Sequence, residues 1–237
     1  MKRFDLAIGF VVLGIFVPSV GRADIIYSNV ESLISGEAFV SGSNDSKKSQ
    51  HSVATGPFNA TLNGASGSGV DFANYSASIN SNITSNAIIA SGNIGLEFMV
   101  STVQLNNLNA FSNVDVQFSV PTPQSFTLNG SLQSFGYAVL RDRTTNTFVF
   151  NLYSPTPIPV TVAGTLNAND SYELQIGVGL TTGSNKPPVG FNLAGGYDLA
   201  FTTSSTAVPE PSTFALFGLG GIGLAIRAYR GRCRTGN

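Results

Sequence analysis

The feature that most constrains this chain is a strict two-residue alternation of side-chain character along its middle. It is longest at Tyr172, Leu174, Ile176, Val178 and Leu180, separated by Glu173, Gln175, Gly177 and Gly179. Successive side chains of a strand point to opposite faces, so this pattern buries one face and wets the other. Ile94, Leu96, Phe98 and Val100 repeat it, as do Val114, Val116, Phe118 and Val120. Shorter runs follow the same rule: Val70 and Phe72; Tyr75, Ala77 and Ile79; Phe126, Leu128 and Leu132 with Gly130 inside; Phe148, Phe150 and Leu152; Ile158, Val160 and Val162; Tyr197, Leu199 and Phe201. Pro121-Thr122-Pro123, Pro155-Thr156-Pro157, Asn167-Ala168-Asn169-Asp170 and Asn185-Lys186-Pro187-Pro188 punctuate them as turns. Between residues 24 and 208 no segment carries a 3.6-residue period. One wet face and one dry face is the antiparallel case, and short strands between regular turns predict a sandwich. The expectation is an all-β fold: an antiparallel β-sandwich, jelly-roll-like, with its core over about residues 59–201 of a domain spanning 24–208. Residues 24–48 read as polar and loosely patterned, and 41–49 as a flexible loop. Residues 80–86 (Asn-Ser-Asn-Ile-Thr-Ser-Asn) read as a low-complexity polar tract, in an exposed strand or a loop.

The titratable inventory is poor. Only 11% of residues are charged, against roughly 25% in an average domain. One cysteine, Cys233, precludes an intrachain disulfide or a cysteine metal site, and one histidine, His51, precludes a multi-histidine centre. His51 is also the sole candidate base for a serine triad. It lies in a polar segment, and no G-x-S-x-G elbow occurs. Asp71, Glu97, Asp115, Asp142, Asp170, Glu173 and Asp198 scatter over different runs, with Glu97, Asp115 and Glu173 at positions facing away from the expected core. Asn167, Asn169 and Asp170 offer oxygens to a calcium ion, but an Asx turn explains them equally well. The expectation is no catalytic residue, no metal and no cofactor. Tyr27, Tyr75, Tyr137 and Tyr153 are the aromatic candidates for contact with a glycan. Lys47, Lys48, Arg141, Arg143 and Lys186 are outnumbered by carboxylates between residues 24 and 208. That negative balance argues against a nucleic-acid partner.

The two ends differ from the middle. Lys2 and Arg3, the apolar run Leu6–Val17, Pro18 and the small residues Gly21 and Ala23 predict a signal peptide over 1–23, cleaved after Ala23. The run has 12 residues, short of the roughly 20 that span a bilayer. At the other end Val208-Pro209-Glu210-Pro211-Ser212-Thr213 leads into a glycine-rich apolar stretch, with a transmembrane segment expected over 213–226. Arg227, Arg230, Arg232 and Arg234 follow as a stop-transfer cluster. Two prolines fix φ and keep the first part extended. The stretch Phe214–Ile226 is about 20 Å long as a helix, which flanking residues and bilayer thinning can extend. The arginines favour the cytoplasmic side, which leaves the middle domain outside.

This tail, Pro209, Glu210 and Pro211 followed by the apolar run and the arginine cluster, resembles the PEP-CTERM protein-sorting tail. The resemblance covers residues 209–237. It implies an exported protein that passes through the secretion machinery and is held at the inner membrane by its C-terminal helix. An exosortase then removes the tail, leaving the protein at the cell surface or in the extracellular matrix. Pro209, Glu210 and Pro211 are in that case substrate residues of another enzyme. Proteins of this kind are exported by bacteria that make extracellular polysaccharide, so exopolysaccharide is a further expected partner. The alternative role for the body is a glycan-binding module that holds the protein in that polymer.

Overall fold

A computed structural model describes residues 24–68, 70–182 and 189–205. The described chain is all-β. Its strands are β1 (Ile26–Val40), β2 (Ser46–Ser52), β3 (Gly56–Ser68), β4 (Asp71–Thr84), β5 (Ala87–Val100), β6 (Leu105–Ser119), β7 (Gln124–Leu132), β8 (Gly136–Asp142), β9 (Thr147–Ser154), β10 (Ile158–Leu166), β11 (Ser171–Thr182) and β12 (Val189–Ser205). They form two six-stranded sheets, β2-β1-β6-β11-β8-β9 and β10-β7-β12-β5-β4-β3. Every pairing is antiparallel. We call the first sheet A and the second sheet B. After the β3-β4-β5 meander the chain passes to sheet A for β6, to B for β7, to A for the β8-β9 hairpin, to B for β10, to A for β11 and to B for β12. These crossings close both ends of the sandwich.

The alternating residues are what the two sheets bury between them. Tyr172, Leu174, Ile176 and Val178 face Leu96, Phe98, Tyr197 and Leu199 across one continuous core. An aromatic cluster fills one end: Phe118 stacks on Tyr172 with centroids 5.7 Å apart, and Phe126 stacks on Phe201 at 5.4 Å. Each fully buried large side chain contributes about 1.5–3 kcal/mol. Gly130, inside β7, has φ +140, and a Cβ there would lie 2.0 Å from the carbonyl oxygen of Asp198 on β12. Only glycine fits that close approach.

Three local expectations change, and the tract at residues 80–86 resolves to one of its two alternatives. Residues 26–40 form a full strand between β2 and β6, where the sequence reads as loosely patterned. The inward positions of β1 are Val30, Ser32, Ile34, Gly36, Ala38 and Val40, so half of them lack a large apolar side chain and the alternation is diluted. The dry layer therefore begins well before residue 59. Residues 46–52, within and beyond the expected loop, pair with β1 as an edge strand. Residues 80–84 finish β4 and, with Ser85 and Asn86, lead into the hairpin with β5. Phe148, aligned by the alternation with Phe150, is instead 60% exposed. A bulge between the pairs Leu140–Phe150 and Arg141–Phe148 inserts Val149 and shifts the strand's facing.

Candidate functional site

The residues that carry the sorting expectation, Pro209, Glu210, Pro211, Arg227, Arg230, Arg232 and Arg234, lie outside the described residues, as do Ala23, the 1–23 segment, the 213–226 stretch and Cys233. Among the described residues no helix is long and apolar enough to cross a membrane. None of their His, Cys, Asp and Glu side chains group in threes as metal ligands.

On the described domain the most distinct feature is a polar groove on the outer face of sheet B, with a volume of about 530 Å³. Register builds it. Asn74 on β4 stands opposite Glu97 on β5, and Glu97 opposite Asn192 on β12. One step along, Asn63 on β3 stands opposite Ser76, and Ser76 opposite Gly95. Gly95 deepens the groove, because a Cβ there would come within 2.8 Å of the Ser76 hydroxyl. The rows beyond continue the chemistry with Thr61, Ser78 and Asn93, then Asn59, Asn80 and Ser91. Amides and hydroxyls both donate and accept, and Glu97 adds a single strong acceptor. Such a surface matches a ligand rich in hydroxyl groups. Glycoside hydrolysis needs two carboxyls within roughly 10 Å. Asp198 on this face lies opposite Ser91, six residues along β5 from Glu97, or about 20 Å away.

Asp71 is committed elsewhere. Its carboxylate accepts hydrogen bonds from the backbone N–H and hydroxyl of both Ser101 and Thr102, pinning the start of the β5-β6 connection. Hydrogen bonding from the Ser101 amide, then from the Thr102 hydroxyl, lowers its pKa to about 2. Asp142 is buried, and its carboxylate accepts from the Thr144 and Thr145 amides, closing the β8-β9 hairpin.

Sheet A carries Asp115 and Glu173 on its outer face, as expected. The Gln175 amide donates to both, at 3.0 and 3.1 Å. Scattered in sequence, these two carboxylates are brought within about 6 Å by that shared amide, a proximity the alternation did not reveal. Burial raises the Asp115 pKa, the Gln175 hydrogen bond opposes it, and the charges of Glu173 and Glu31 add to the rise. The bridging amide occupies the space between them.

The other candidates are distributed. His51 sits exposed on β2, opposite Leu33. In the Asn167–Asp170 turn, the Asn167 amide donates to Asp170 at 3.1 Å, and Asn169 has φ +64 and donates its backbone N–H to Val120. The first is a turn contact within the loop, and the second ties the loop to the residue after β6. Of the four tyrosines, Tyr75 is buried in the core, and Tyr27 donates its hydroxyl to the Thr84 carbonyl. Burial raises the Tyr137 hydroxyl pKa. Tyr153 is 61% exposed, on sheet A.

Comparison with known proteins bears on the tail. No curated protein matches the chain significantly. Residues 207–231 match the family model described as the PEP-CTERM protein-sorting motif. The matched span contains Pro209, Glu210, Pro211, the apolar stretch and the first two tail arginines, Arg227 and Arg230. This chain is a protein that carries the PEP-CTERM protein-sorting motif, a signal that implies export and processing at a membrane by an exosortase.

Proposed function

We propose that the chain is a surface or extracellular-matrix protein whose tail is its address and whose sandwich is a non-catalytic body. The observation that carries this reading is the sorting motif at residues 207–231. The rest of the layout agrees: a signal-like segment over 1–23, an apolar stretch over 213–226 and a basic end at Arg227, Arg230, Arg232 and Arg234. Secretion delivers residues 24–208 outward, the apolar stretch holds the chain in the inner membrane, and an exosortase acts at Pro209-Glu210-Pro211. The intact mass of the protein from its native cells tests this, together with peptide mapping of both ends. A chain from about Asp24 to about Pro209–Pro211 is the expected result. A chain running through to Asn237 would leave a plain membrane anchor.

The groove on sheet B favours a second reading, a glycan-binding body. Its recognising groups are the amides of Asn63, Asn74 and Asn192, the Ser76 hydroxyl and Glu97, rather than the tyrosines the sequence suggests. Neutral polysaccharide in an affinity gel should retard the protein, and Asn74→Ala with Asn192→Ala should restore its mobility. Equal mobility with and without polysaccharide would end this reading and leave the first intact.

A further inference from the structure

A two-sheet sandwich has four free edges, and here they are β2 and β9 of sheet A and β3 and β10 of sheet B. A free edge presents unpaired N–H and C=O groups to any other strand, and monomeric proteins block it with charge, proline or irregular backbone. Three of these edges are blocked. Strand β2 carries Lys47 and Lys48. Strand β3 carries Pro57 and two further glycines, Gly64 and Gly67, after Gly56 opens it, and β10 carries Pro159. Strand β9, Thr-Phe-Val-Phe-Asn-Leu-Tyr-Ser, has no charge, no proline and no glycine. Its composition has the high β-propensity and low charge that favour strand addition. Three exposed large apolar side chains lie on it: Phe148 is 60% exposed, Val149 39% and Tyr153 61%.

One partial guard exists. Arg141 lies over the Phe148 ring at 5.9 Å, and the bulge at Val149 bends that end of the strand. The run from Val149 to Ser154 is left open among the described residues.

We propose that β9 pairs antiparallel with β9 of a second copy of this chain, about a two-fold axis at Asn151. The side chains select the copy. In that register Asn151 meets Asn151, Phe150 meets Leu152 and Val149 meets Tyr153, so amide faces amide and apolar faces apolar. No like charges oppose each other along the seam, although the domain as a whole is acidic. A two-fold axis makes the contact isologous and closed. It joins the two A sheets into one and buries Tyr153 against its neighbour. This inference stands apart from the sorting and glycan readings.

Cross-linking of the full chain tests it. In a Cys233→Ser background, Asn151→Cys puts the two thiols on the axis, where Cα atoms of opposed antiparallel residues lie about 4.5–5.5 Å apart, within disulfide range. Mild oxidation should convert most of the protein to a disulfide dimer. Ser49→Cys, on the guarded β2 edge, should stay monomeric. Sedimentation should show a dimer that Val149→Lys with Tyr153→Lys reduces to monomer; both positions are exposed, so an unchanged circular dichroism spectrum verifies the fold. A monomer at all concentrations would overturn the proposal. So would equal cross-linking at the two sites, or a dimer that survives the two lysines.

Discussion

Replacing Gly36 with alanine should test how the first strand is locked into the core. Gly36 on β1 lies against the ring of Tyr75 on β4, across the two sheets. An added Cβ would sit 2.2 Å from one ring carbon and 2.3 Å from another. Carbon contacts relax near 3.5–4.0 Å, so the ring must move by more than about 1 Å. It has little room, because Gly64 on β3 is equally close on its other edge: a Cβ there would lie 2.3 Å from the ring. Overpacking of this kind costs about 1–3 kcal/mol. Alanine recovers about 0.5–1 kcal/mol by restricting the unfolded chain. The net loss should be about 1–2 kcal/mol. With a urea m-value of about 2 kcal/mol/M, the midpoint should fall by about 0.5–1 M. The decisive comparison is the same change in a Tyr75→Leu background. That background is itself less stable, by about 3 kcal/mol as a large-to-small core change. There the ring is gone, and Gly36→Ala should become neutral or mildly stabilising. The coupling energy of the cycle should be about 2 kcal/mol. Additivity of the two changes within about 0.5 kcal/mol would refute the reasoning.

Three further outcomes follow from the polar contacts. Asp71→Asn should lower stability at neutral pH. Its folded pKa is depressed to about 2, so the contribution is present above about 4 and lost as pH falls through about 2. Midpoints of wild type and variant, measured from pH 7 to pH 2, should converge at the acid end, and a constant difference would argue against the Ser101 and Thr102 contacts. Asp115→Asn should act in the opposite direction: its folded pKa is raised, so its charge weakens the fold as pH rises through that value. The variant should gain stability at pH 7 and match wild type near pH 3, and a loss at pH 7 would show that Gln175 outweighs burial. Tyr197→Phe removes the contact between its hydroxyl and Ser112, 3.1 Å apart across the sheets, while Ser112 keeps its hydrogen bond to the Ser78 carbonyl. It should cost about 1 kcal/mol in thermal or urea unfolding.

The long strands were legible where consecutive inward positions are large and apolar: Val114, Val116 and Phe118 on β6, or Leu174, Ile176 and Val178 on β11. Strand β1 was not, because Ser32, Gly36 and Ala38 occupy its inward face. Two of them have a tertiary reason. The Ser32 hydroxyl meets that of Ser81 at 3.0 Å across the core, and Gly36 admits the Tyr75 ring. A serine that pairs through the core looks like a solvent-facing serine until its partner is known. The groove was hidden in the same way. Asn63, Asn74, Glu97 and Asn192 come from four strands, and only register aligns them.

The sequence by itself determined the address and the fold class. The sorting tail is a contiguous signal, and a two-residue period needs no partner to be read, because both are properties of neighbours along the chain. The tertiary structure alone decided which strands lie at the edges, that β9 is the least guarded of them, and that the outer face of sheet B gathers amides into a groove. Those properties depend on which strands pair and in what register, and pairing joins residues far apart in sequence.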